Sequence, residues 1–381
     1  MRRPALIFTL IHLGMVSLVV GYEHIMIHIP FTMDIDPMER LLLVNFENDP
    51  DTLYIGFEPQ VFDDPVNGQG HLVIGWRKDG RVDLYHEAGL TLNPAKYDIA
   101  GKGLANMIER EMSHASFEID DRGVQARYQF LDVHDRLVHI RISEKHPRKR
   151  KPFGLLAPMG AAAENPSAMP LVLLHDFYFV RKNRSEIAVT INERVHQVDN
   201  LPIPMDFKRM TFIRYSPEPL IATFNRAFSG LMPSTELPKG AQRLQNNNQD
   251  ILIEWKQEKA FIKQIIFSND IHPVTLRFDK PFPLPDFLDK GFSQKGSFII
   301  RAHPSTGRIA GRYSVDQVDE QIRIVMIPDK GWKPRPNKLS LRFLYTVARV
   351  FKHWPRTYEW TAIVEKDGEH FRMNSDWRRI K

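Results

Sequence analysis

The chain has no cysteine at all. Disulfides, thiolate nucleophiles and zinc-thiolate sites are therefore excluded, which suits a reducing cytoplasm without forbidding export. Standard catalytic signatures are missing too: there is no phosphate-binding loop, no His-Glu-x-x-His and no Gly-x-Ser-x-Gly. Gly101-x-Gly103 lacks the third glycine and the preceding strand that a dinucleotide site requires, so no cofactor is implied. The net charge of +6 is scattered along the chain. Its densest run, 146–151 (HPRKRK), is read as a solvated loop, because no recognisable nucleic-acid fold accompanies it. No nucleic-acid partner is expected.

Long hydrophobic runs are scarce, and the one present is N-terminal. Arg2 and Arg3 precede an apolar stretch over 5–20 broken only by Thr9, His12, Gly14 and Ser17, a pattern like a signal peptide or short membrane anchor. No Ala-x-Ala cleavage site follows. Residues 4–21 thus predict a membrane-anchored or exported protein with membrane contact through this segment. In the competing reading, residues from Met15 onward already form strands of the first domain and the protein is cytoplasmic. The rest, 43% hydrophobic and 26% charged, has the make-up of a globular protein able to bury real cores.

What is present is a repeat: residues 29–189 recur, weakly but in order, as residues 203–373. Ile29-Pro30 and Met33-Asp34 are answered by Ile203-Pro204 and Met205-Asp206. The segment 40–46 (RLLLVNF) matches 209–215 (RMTFIRY), and 72–77 (LVIGWR) matches 251–256 (ILIEWK), setting Trp76 over Trp255. Further on, 116–119 (SFEI) matches 297–300 (SFII), Arg127-Tyr128 matches Arg312-Tyr313, and Val180-x-Lys182 matches Val364-x-Lys366. A unit of roughly 170 residues is too long for a solenoid repeat and has the size of a domain. The expected layout is an N-terminal segment at 1–24, one domain at 25–199 and a second at 200–381.

Within each copy the apolar pattern has period two, as at 71–76, 82–86, 124–130, 137–142 and 322–327. Asp-Gly turn chemistry at 78–81, 120–123 and 366–369 supplies tight reversals. Antiparallel strands on this scale close into a barrel or fold into a two-sheet sandwich. The exception is 338–354, where Phe343, Leu344, Val347, Phe351 and Trp354 recur at helical spacing, with Arg342, Thr346, Arg349 and Lys352 on other faces. Such a helix could lie on an anionic membrane; the plainer reading is a helix plugging or flanking the second barrel. Residues 154–169 read as a loop or broken helix, and 229–249 as a long exposed loop.

Candidate chemistry comes from comparing the copies. A site kept in one copy leaves chemically costly residues there and unrelated ones in the other. His86 alternates with Val82 and Leu84 and corresponds to Ile265. His175 lies in an otherwise apolar strand beside Asp176 and corresponds to Glu359. Histidine titrates near neutrality, and a buried one needs a partner, so His86, His175 and Asp176 are the candidate catalytic residues. In the alternative, His175 and Asp176 point to opposite faces and each satisfies a backbone group. His24 and His28 lie in a segment that reads as a strand, where four residues span roughly 13 Å, too far to share a metal.

A tandem pair of antiparallel β domains, the second with a helix before its last strands, resembles the double lipocalin-like (calycin) family that includes carotenoid 1,2-hydratases and tocopherol cyclases. The family's Glu-Trp-Trp-Tyr type of segment has only Gly21-Tyr22-Glu23-His24 near its place. The resemblance implies an all-β fold of two lipocalin-like barrels, or of two β-sandwiches, and an apolar ligand such as a lipid or isoprenoid. The activity it implies is cofactor-free hydration, lyase chemistry or cyclisation; a non-catalytic lipid carrier and an envelope-associated binding protein are the alternatives.

Overall fold

Period-two patterning dominates the computed structural model, which describes residues 23–100, 102–145, 152–157, 163–201, 209–246, 248–268, 272–347 and 349–380. The protein is all-β apart from short helices, and its strands form three layers. The central layer is a sheet with the order β2 (Met33–Pro37), β16 (Pro219–Phe224), β12 (Met169–Arg181), β15 (Met210–Ser216), β3 (Arg40–Asn45), β4 (Tyr54–Asp64), β5 (Gly68–Arg77), β6 (Val82–His86) and β7 (Leu104–Glu109). A further strand, β11 (Phe153–Ala157), also pairs with β12. On one side lies a five-stranded sheet of β14 (Arg194–His196), β13 (Ser185–Ile191), β10 (Leu137–Glu144), β9 (Gly123–Leu131) and β8 (His114–Asp120).

On the other side a ten-stranded sheet curls into a half-barrel. Its order is β17 (Phe228–Leu231), β27 (His370–Arg379), β26 (Tyr358–Asp367), β25 (Gln321–Lys333), β24 (Arg308–Val318), β23 (Ser293–Arg301), β22 (Val274–Pro283), β21 (Lys259–Phe267), β20 (Gln249–Lys256) and β19 (Arg243–Asn246). A small separate pair joins β1 (His24–His28) to β18 (Ser234–Pro238).

The central sheet is buried on both faces, so its strands feed two cores by alternation. Leu41, Phe62, Ile74 and Leu84 join the core shared with the half-barrel, whereas Leu42, Val61, Val73 and Tyr85 join the core shared with the five-stranded sheet. Phe31, between β1 and β2, enters the half-barrel core. Its ring lies 4.7 Å from Phe282 and 5.4 Å from Phe278, with Trp360 at 6.2 Å.

Strands from either side of residue 200 interleave in the central sheet. β2 and β3 act as one bent strand against β16 and β15 in a single register: Met33 faces Phe224, Pro37 faces Leu220, Leu41 faces Ser216 and Leu43 faces Arg214. Continuing that register sets Val44 opposite Ile213, the residues that the sequence comparison aligns. Cross-strand partners recur as well. Leu72 faces His86 where Ile251 faces Ile265, and Ser116 faces Arg127 where Ser297 faces Arg312.

Three expectations change. The stretch 229–249, read as a loop, contributes to β17 and carries β18 and β19, because its short polar segments complete the edges of other strands. Within 154–169, most of β11 is strand, paired to β12. The helix at 338–354 is divided into α1 (Leu339–Val347) and α2 (Arg349–His353). It flanks the half-barrel, with Tyr345 and Phe351 packed on Trp332 of β25. Its buried face carries Leu341 and Tyr345, whereas Phe343 and Val347 are about half exposed, at 49% and 47%. The run 146–151 and the N-terminal segment up to residue 22 lie outside the described residues.

Candidate functional site

β4 reads YIGFEPQVFDD, an apolar strand carrying a carboxylate and an amide on alternate positions. Glu58, Gln60 and Phe62 share the face toward the half-barrel core, and both polar residues are buried, at 4% and 2% exposure. They line a cavity of about 70 Å³ beside the bend between β2 and β3. Met38, Ile74, Val172 and Ile221 supply apolar walls, and the 3-10 turn Pro94–Ala100 brings Lys96 and Tyr97 to the rim.

Both carboxylate oxygens of Glu58 are engaged. Gln60 Nε2 donates to Oε1 at 2.8 Å, and the indole Nε1 of Trp76 donates to Oε2 at 3.0 Å. These bonds favour the charged form, as does the Arg214 guanidinium nearby. Loss of water outweighs them and pushes the Glu58 carboxyl up to about 7. The Arg214 guanidinium is in turn pulled down to about 10 by its own burial, against the attraction of Glu58, Glu47 and Asp199. Across the cavity the Lys96 ammonium donates to Asp36 Oδ1 at 2.6 Å. Burial, then Asp36 and Glu58, raise the Tyr97 hydroxyl above its ordinary range. The side-chain oxygen of Gln60, Oε1, is buried without a hydrogen-bond partner, which leaves an acceptor for a donor arriving in the cavity.

The site is thus a small apolar chamber with a carboxyl group that exchanges a proton near neutrality. Such a group serves as general acid in one step and as base in the next.

The sequence candidates fall around this chamber in different ways. His86 is on the chamber's face of the sheet and in the same cross-strand row as Gln60: Gln60 faces Leu72, and Leu72 faces His86. Two strand spacings, roughly 10 Å, separate it from Gln60, and its Nδ1 lies 3.1 Å from the Glu87 carbonyl oxygen. His175 is buried in β12, its ring 3.8 Å from that of His272 and 5.4 Å from that of His303. Burial, then the two neighbouring imidazoles, drive the His175 imidazole down to about 3, so it is neutral at physiological pH. Neither of its ring nitrogens has a hydrogen-bond partner. Asp176 has its carboxyl raised by burial and by Glu218. In the order of the central sheet, β15, β3, β4 and β5 stand between β12 and β6, so the three candidates do not converge.

The repeat pairs Trp76 with Trp255 but does not single out Glu58. The signal lies in what each indole meets: Trp76 donates to a buried carboxylate, whereas Trp255 donates to the Ala241 carbonyl at 2.8 Å. A carboxylate inside an otherwise apolar strand, Glu58 of β4, is the sequence feature that points to this chamber. His24 and His28 sit at opposite ends of β1; His28 Nδ1 lies 2.8 Å from Asp286 Oδ1. Among the described residues no group of three or more His, Asp or Glu side chains is placed to hold a metal ion, and no helix is long and apolar enough to cross a membrane. The chain matches no protein-family model, no curated protein and no solved structure.

Proposed function

We propose that the chamber beside Glu58 is an acid–base site for a small apolar molecule, or for one end of a longer lipid- or isoprenoid-like one, and that the protein is a cofactor-free hydratase, lyase or cyclase. The observation that carries this reading is the buried Glu58 carboxyl, poised at about 7 among apolar walls. A group titrating there loses and regains its proton with little driving force wasted in either direction. Protonating an alkene and removing a proton from the resulting cation both suit it.

The carrier alternative uses the same chamber but gives Glu58 no task. It also asks the half-barrel to hold cargo where Phe31, Phe278, Phe282 and Trp360 already fill the interior. The matching registers of β5–β6 with β20–β21, and of β8–β9 with β23–β24, support reading the chain as a tandem duplication of 25–199 and 200–381, which we take to be lipocalin-like copies.

The test works whatever the substrate is. Protein purified from its own host is analysed by native mass spectrometry, and any released apolar ligand is incubated with fresh enzyme in D2O. Wild type is expected to place deuterium in the ligand or its product, and Glu58→Gln to lose that activity by about 100-fold or more. Ile221→Trp, which fills the chamber, should abolish retention. Equal deuterium incorporation by Glu58→Gln would remove the acid–base assignment, and ligand retention by Ile221→Trp would remove the chamber.

A further inference from the structure

We infer that one end of the half-barrel, formed by α1 and the adjoining ends of β23, β24 and β25, docks on the surface of an anionic lipid bilayer. Arg301, Arg308 and Lys333 occupy one cross-strand row: Arg301 faces Arg308, and Arg308 faces Lys333. Like charges set directly opposite one another destabilise a sheet. None of the three makes an ion pair with a described residue, and all three are exposed. They line a groove that continues past Arg335 to a second groove along α1, lined by Lys338 and Arg342. Among the described residues no carboxylate lines either groove.

The helix beside these cations turns an apolar stripe outward. Leu339, Phe343 and Val347, spaced four residues apart, share one face and are 83%, 49% and 47% exposed. The opposite face, with Leu341 and Tyr345, is the one packed on the protein. A helix held by one face, with apolar side chains outward and cations alongside, has the chemistry of an interfacial helix. The apolar stripe enters the acyl boundary while the cations meet lipid phosphates. A nucleic acid would use the cation row but leave Leu339, Phe343 and Val347 in water, so the stripe favours the bilayer.

Flotation of the full-length protein with phosphatidylcholine vesicles, with and without phosphatidylglycerol, tests the assignment. Binding is expected only with the anionic lipid and should weaken as salt rises. Arg308→Glu with Lys333→Glu should lower it by at least tenfold, since each cation near such a surface contributes roughly fivefold. Phe343→Ser with Val347→Ser should lower it comparably while leaving the circular dichroism spectrum unchanged. Should that pair melt early, Leu339→Ser at the most exposed position carries the same test. Wild-type flotation by all these variants would assign any membrane contact to another part of the chain and overturn the proposal. Tight binding of an oligonucleotide, lost in the charge-reversal variant, without vesicle binding would overturn it in favour of nucleic acid.

Discussion

The indole Nε1 of Trp76 donates to Glu58 Oε2 at 3.0 Å, inside a sheet whose two faces are both covered. This bond, with that from Gln60, orients the carboxyl but does not compensate for its lost hydration. The neighbourhood is therefore a protonation site built at a cost in stability.

That cost sets a pH dependence. The Glu58 carboxyl is raised from 4.5 to about 7 in the folded chain, so between these values the folded state holds the proton more tightly than the unfolded state does. Its contribution to stability is fully present below about pH 4.5 and is lost as pH rises through 7. The loss amounts to roughly 3 kcal/mol. Glu58→Gln should abolish this slope and be the more stable chain at pH 8, because no charge is then buried, and a turned-over Gln60 amide lets the new amide donate to Gln60 Oε1 while still accepting from Trp76. Urea denaturation from pH 5 to 8 measures it; a wild-type midpoint that does not fall over this range would contradict the assignment.

His175 works in the opposite direction. Its imidazole is lowered from 6.5 to about 3, so the unfolded chain binds the proton first as pH falls. Stability on its account is present above pH 6.5 and drains away toward pH 3, at about 1.4 kcal/mol per pH unit. His175→Leu should flatten the acid limb of the stability curve. An unchanged acid limb, or an imidazole resonance titrating near 6.5 by NMR, counts against burial as the dominant influence.

Phe31 is 1% exposed and ties the chain between β1 and β2 into the half-barrel. Phe31→Ala should cost about 3–5 kcal/mol in equilibrium unfolding, the range for a large aromatic removed from a core. A loss below about 1 kcal/mol would mean that the cavity collapses freely, and that the aromatic cluster does not join the halves.

The interleaved central sheet predicts that the halves do not separate. Expressed alone, residues 25–199 lack β15 and β16, leaving β12, β2 and β3 with open hydrogen-bonding edges. Each fragment should aggregate or lack dispersed amide resonances, and coexpression should restore a soluble complex. A well-dispersed spectrum from 25–199 alone would refute this.

Burial periodicity and turn chemistry are local properties, and these are readable along the chain. The alternation at 82–86 places His86 on the face of Val82 and Leu84, which is the chamber's face. His175 does lie in a buried apolar strand. Its partners are not readable, because His272 and His303 lie about 100 residues or more further along, in segments with no shared pattern. The helix at 338–354 shows the same limit. Its apolar residues occupy more than one face, and the tertiary packing turns Tyr345 inward, onto Trp332 and toward the Gly154 carbonyl oxygen, and leaves Phe343 outward.

The sequence by itself determined many of the strands outside 154–169 and 229–249, the tight turns, the absence of thiol chemistry and the order of the matched segments, since each follows from residue type and spacing along the chain. Only the tertiary structure decided that strands from both halves share one sheet, that burial raises the Glu58 carboxyl toward neutrality, and which side of α1 meets solvent. The physical reason is common to all three. Pairing partners, desolvation and exposure depend on what covers a residue, and for the shared sheet and for Glu58 the covering comes from more than 100 residues away: Leu220 of β16 faces Pro37 of β2, and Val172 of β12 lines the chamber beside Glu58.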